Sequence, residues 1–190
     1  EVASVGSMYY AALVPCICAA LVSRQVAVTL GVPEELFHVS NEMAFTISSG
    51  LRAILLAGCC AVVSILFCLS LQLFHKLMHR YMPNSYIRIA AGGVLIILLT
   101  LLCGSQDYLG TGMNIIERAV EGQALPWAFL LKILFTSITI AAGYRGGEIV
   151  PSLFIGATLG CCAAGLFGLP ASLGASIGMV SVFCGVTNCP

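Results

Sequence analysis

Long apolar runs separated by short polar stretches set the pattern of this chain. A helix needs about 20 predominantly apolar residues to cross a bilayer, and several runs approach that length. Residues 8–30 form a first span, interrupted by Arg24 and Gln25. The polar stretch GVPEELFHVSNE at 31–42 opens on a Gly-x-Pro breaker and reads as a loop with an interfacial turn. Residues 51–74 form the cleanest span, which runs on into HKLMHRYMPNSYIR. A shorter span covers 89–103 and ends at Cys103-Gly104. The next piece, YLGTGMNIIERAVEG, has apolar residues at 109, 113, 115, 116, 119 and 120 beside Glu117, Arg118 and Glu121. It is too short and too charged to cross, and predicts an amphipathic or partly inserted helix. Residues 125–142 predict another span with Pro126 in its first turn, where a missing N–H costs little. Residues 150–169 are apolar again, and a last segment begins at Ala171.

Composition agrees with an all-α integral membrane protein. Hydrophobic residues make up 59% of the 190 and charged residues 8%, against about 25% charged in soluble domains, and mean hydropathy is +1.04. Eight Lys and Arg balance eight Asp and Glu, so no basic excess points to nucleic acid as a partner. Lys76, Arg80 and Arg88 make the 75–88 connection the cytoplasmic candidate. Cys16, Cys18, Cys59, Cys60, Cys68, Cys103, Cys161, Cys162 and Cys184 lie inside apolar runs without metal-type spacing and read as small packing residues. His75 and His79 can share a helix face, but without a nearby carboxylate they predict interfacial residues and no metal site. No Walker-type loop, HExxH or Ser/His/Asp arrangement is present, so neither an enzyme nor a cofactor is expected. The opening on Glu1, without initiator methionine or signal-peptide pattern, and the stop at Cys189-Pro190 lead to the expectation of an internal piece of a longer protein.

The chemistry concentrates in AAGYRGGEIVPSLFIGATLG, residues 141–160. A carboxylate such as Glu148 at the bilayer centre costs roughly 2.5–3.5 kcal/mol or more. Pro151 marks the first turn of a helix, which leaves the N–H groups of residues 147–150 without intrahelical partners and attractive to an anion. That attraction is about 0.3–1 kcal/mol, rising to about 2 when partly buried, so a proton, water or countercharge is also needed. Two readings stand. Arg145 is the countercharge and Gly146-Gly147 a surface turn, or the break lies within the membrane, where irregular backbone is tolerated only against a cavity or protein. Gly156, Gly160 and Ala164, four residues apart, form a small-residue stripe suited to close helix packing.

GGEIVPSLFIGATLG resembles the third signature of the CLC chloride channels and proton-coupled transporters. The resemblance extends along the chain: 51–82 is similar to the long helix opening the family's second inverted repeat, GTGMNIIERA to the short helix before the signature, and GMVSVFCGVTNCP to a later small-residue segment. It implies a CLC-type bundle of tilted and broken transmembrane helices, with 1–50 ending a first repeat and 51–190 forming most of the second. It further implies an anion site at Gly146, Gly147, Glu148, Ile149 and Val150, with the Glu148 and Ile149 amides helping to hold the ion. Glutamate at 148 resembles the bacterial fluoride/proton antiporter branch, in which this acid takes part in proton coupling. Val150 stands where that branch has threonine. The implied protein is a homodimer in a bacterial plasma membrane, bathed in lipid and exporting fluoride or chloride against protons. A passive chloride channel and a non-transporting helix bundle are the alternatives.

Overall fold

The computed structural model describes residues 3–4, 7–8, 10–32 and 46–187, with backbone only before residue 14. They fall into two compact units, Glu1–Phe37 and His38–Pro190. The first holds a two-residue antiparallel ladder, β1 (Ala3–Ser4) and β2 (Ser7–Met8), with Ala3 opposite Met8, followed by α1 (Tyr10–Thr29). The expected loop at 31–42 lies outside the described residues from 33 onward.

The second unit is helical. It comprises α2 (Ile47–Tyr81), α3 (Ser85–Cys103), α4 (Met113–Val120), α5 (Ala128–Ala142), α6 (Ile149–Phe167) and α7 (Ala171–Thr187). The segment expected as a 51–74 span followed by a 75–88 connection is one 35-residue helix, and the connection shrinks to residues 82–84. Nothing in HKLMHRY breaks a helix, whereas Pro83 does. The α2 start is fastened by Ser49 Oγ accepting the Thr46 N–H at 2.9 Å. The α3 start is capped by the Asn84 side chain accepting from the Tyr86 N–H at 3.1 Å. Pro126 precedes α5 instead of sitting in its first turn, because residues 125–128 close a separate turn through Ala128 N–H to Leu125 O, 3.1 Å.

Among the described residues three helices, α2, α3 and α6, are long and apolar enough to cross a membrane. They are enclosed to different degrees. In the most apolar window, 56% of α6 is buried against 11% of α3, so α6 is the central helix of this unit and α3 a peripheral one. Leu51, Ile54, Leu55, Val62, Ile65, Leu66, Leu69 and Leu73 leave an apolar outer face on α2, which suits hydrocarbon. The core joins Leu56, Cys60 and Phe67 of α2 to Ile133 of α5, Ile155 of α6 and Val182 of α7.

Without a hydrophobic force between helices in lipid, packing contacts hold such a bundle. The tightest is α6 on α7. A Cβ added at Gly156 would strike the Gly178 carbonyl, one at Gly160 the Gly174 carbonyl, and one at Gly174 the Ala164 side chain. The expected stripe is therefore met by a second stripe on α7.

Candidate functional site

The break between α5 and α6 is built by three glycines and a tyrosine. Gly143 ends α5 in the left-handed region, φ 101°, which a side chain would strain. Tyr144 then folds back onto α3, its hydroxyl donating to Ile89 O at 3.0 Å. Gly93 makes room for that hydroxyl, since a Cβ there would lie 2.7 Å from it. Residues 144–147 are irregular, and the first bond of α6 is Ser152 N–H to Glu148 O, 3.1 Å. Among the described residues the N–H groups of Gly147, Glu148, Ile149 and Val150 have no hydrogen-bond partner, so the helix start is left open as the sequence predicts.

The expected site residues divide into two sets. Gly146, Gly147 and Val150 line a cavity of about 600 Å3, together with Pro151. Glu148 and Ile149 are exposed and are not part of its wall. Neither Glu148 nor Arg145 makes a side-chain hydrogen bond or ion pair among the described residues, so they do not form the countercharge pair. The other walls come from Gly93, Ile96 and Ile97 of α3, residues 108–111, and Lys132, Phe135, Thr136, Thr139 and Ile140 of α5. Most of these are apolar.

Lys132 was not singled out by sequence reasoning. It is 2% exposed, with Nζ donating to Gly110 O at 2.7 Å and Tyr108 O at 3.1 Å and lying 4.9 Å from the centre of the Phe154 ring. Burying an ion costs several kilocalories per mole. Charged hydrogen bonds contribute about 1.5–3 kcal/mol each and the ring face about 0.5–2, which offsets much of that cost without a carboxylate. Among the described residues none lies within salt-bridge distance of it. Its ring neighbours are mutually packed, Tyr108 stacking on Phe135 at 6.0 Å and meeting Phe154 edge-on at 6.4 Å. Burial pushes the Tyr108 phenol up, so it keeps its proton. A lone lysine in the apolar run AFLLKILFTSITIAA was the available signal.

A second polar cluster sits where α2 meets α3. The His75 and His79 rings are 4.4 Å apart, and Arg88 Nη1 lies 3.2 Å from His79 Nδ1. Arg88 is buried, with Nε unpartnered. It is a structural cation of α3, and not the loop cation that the sequence suggests. No group of three or more metal-ligating side chains occurs among the described residues. All nine described cysteines are free thiols, Cys60 and Cys161 buried and Cys16, Cys18 and Cys59 exposed.

Known proteins resemble this chain in sequence and fold. The profile of a family described as "Voltage gated chloride channel" matches residues 1–190. A "Chloride/fluoride channel protein" of Pseudomonas syringae pv. tomato is 32% identical over 196 residues, covering 100% of this chain and 43% of the relative. An uncharacterized protein of Methanocaldococcus jannaschii is 24% identical over 185 residues, covering 95% and 46%. A crystal structure of a CLC-type fluoride/proton antiporter superposes with a TM-score of 0.91 at 32% identity, covering 98% of this chain and 48% of that one. The chain thus spans about half the length of the relatives it matches.

Proposed function

Because the chain belongs to the voltage gated chloride channel (CLC) family, we propose that the full-length protein exchanges a small inorganic anion for protons across a membrane, with Glu148 as the exchanging acid. The anion is fluoride or chloride. Gly146, Gly147, Glu148, Ile149 and Val150 supply its binding stretch on this side of the site. The observation that carries the reading is the open start of α6, where four consecutive N–H groups lack partners among the described residues beside the cavity. A helix N-terminus favours negative charge, and two negative charges compete for it. The ionised Glu148 carboxylate and an anion therefore oppose each other, and a proton on Glu148 removes the conflict. Proton binding and anion binding then help one another by the same factor, as linkage requires. An enzyme's chemistry has no place in this scheme.

The fluoride/proton branch is favoured by the glutamate at 148 and by the names of the similar proteins, a chloride/fluoride channel and a fluoride/proton antiporter. Val150 lacks the hydroxyl of that branch, which keeps chloride in play. A homodimer in a bacterial plasma membrane completes the proposal.

The test is anion efflux from proteoliposomes of the full-length protein, with fluoride and chloride run separately and pH recorded throughout. Wild type is expected to move protons with its anion. Glu148→Gln is expected to lose that coupling or the flux itself while melting normally. Glutamine keeps the shape of Glu148 and removes a charge that has no partner among the described residues, so the fold should hold. Wild-type coupling in a stable Glu148→Gln protein would remove Glu148 from the mechanism. Anion flux with no proton movement in wild type would instead mark a passive channel.

A further inference from the structure

Lys132 is a buried ammonium that shares a cavity wall with Gly146, Gly147 and Val150. Among the described residues its partners are two backbone carbonyls and an aromatic face, all of them neutral. Its charge is therefore held in place without being cancelled. Beside a half-open, mostly apolar cavity such a charge acts over longer distances than it would in bulk water. An anion entering the cavity meets this field and the open helix start together. The carbonyls also fix the ammonium, so that it need not reorganise when the anion arrives.

We propose that Lys132 is the fixed positive charge of the anion path and sets anion affinity in the cavity beside the α6 start. This rests on the transport reading above and adds the cation to it. The competing account makes Lys132 a fastening only, tying residues 108–110 to α5 through Tyr108 O and Gly110 O. The two accounts differ in what the charge does once the N–H donors are kept. Glutamine retains N–H donors and loses the charge, while arginine retains both. A Coulomb attraction is indifferent to the chemistry of a monovalent anion, so fluoride and chloride should respond alike.

In proteoliposomes of the full-length protein, Lys132→Gln is expected to raise the half-saturating concentration of both anions about tenfold, within the usual range of coupling between sites. The affinity should change far more than the maximal rate, some melting temperature should be lost with the charged bonds to Tyr108 O and Gly110 O, and Lys132→Arg should keep wild-type affinity. A folded Lys132→Gln protein with unchanged affinity overturns the inference and leaves the transport reading standing. No saturable flux in the wild-type protein overturns both. Should Lys132→Gln fail to fold, Thr139→Lys decides, because Thr139 lines the same cavity and is only partly buried. A second ammonium there is expected to lower the half-saturating concentration, and unchanged affinity overturns the inference.

Discussion

Tyr144 bridges the irregular turn and its support. Its hydroxyl donates to Ile89 O across the gap to α3, and the turn it begins carries Gly146 and Gly147 into the cavity wall. Tyr144→Phe removes one hydrogen bond worth about 0.5–1.5 kcal/mol. Gly93→Ala displaces the same hydroxyl from the other side, since the added methyl would sit 2.7 Å from it. Both variants are therefore expected to lose about 1 kcal/mol of stability in a melting curve and to raise the half-saturating anion concentration together. A normal affinity in both would show that the turn holds its shape without Tyr144. Residues of this kind differ in how far the sequence discloses them. Glu148 stands out because it follows two glycines between apolar runs, and the open amides around it follow from Pro151. Lys132 escapes notice because a single cation in an apolar run says nothing of the carbonyls that hold it, which lie 22 and 24 residues away. Arg88 misleads for a related reason, since its burial depends on His79 and on the nearby Gly143.

The paired helices α6 and α7 set the position of the open start from behind. Their backbones meet through Gly156, Gly160, Gly174 and Gly178, with no room for a methyl group at any of the four. Overpacking of this sort typically costs about 1–3 kcal/mol. Gly160→Ala is expected to lower the melting temperature measurably, and Gly160→Leu to prevent purification of folded protein. Gly165→Ala is the matched control on the same helix, because nothing lies within 4 Å of its added Cβ. It should be neutral or stabilise by about 0.5–1 kcal/mol, the usual gain for removing a helical glycine. Equal melting of Gly160→Ala and Gly165→Ala would contradict the close packing. At this scale the small-residue stripe of α6 was legible; Gly174 and Gly178 in GASIGMV repeat its four-residue spacing, but nothing in the sequence alone pairs the two stripes. The continuation of α2 through Tyr81 is hidden from hydropathy alone, because polar residues in a helix beyond its span look like a loop, but it agrees with the resemblance of 51–82 to a single long helix.

At the scale of the whole molecule the question is which side of the membrane each end of α3 faces. α2 is about 52 Å long at 1.5 Å per residue, well beyond a hydrocarbon core of about 30 Å, so its polar end can emerge. Lys76 and Arg80 are exposed there. Arg88 is enclosed beside His79, which leaves two cations to set the orientation instead of three. The connection at the other end of α3, residues 104–112, carries Asp107 and no Lys or Arg. Since Lys and Arg decide orientation and acids contribute little, the 82–84 turn is expected to be cytoplasmic and the 104–112 connection external. Asn84 is unsuitable as a reporter because it caps α3, and losing such a cap costs about 1 kcal/mol. Ser85 and Gln106 are exposed and make no such bond. In a full-length protein freed of its native cysteines, Ser85→Cys should resist an impermeant thiol reagent in intact cells and react in inside-out vesicles. Gln106→Cys should do the opposite. Labelling of both from one side would mean that α3 does not cross the membrane. The swapped result would place the carbonyls that hold Lys132 toward the cytoplasm, and anion entry past the cation would then begin inside the cell.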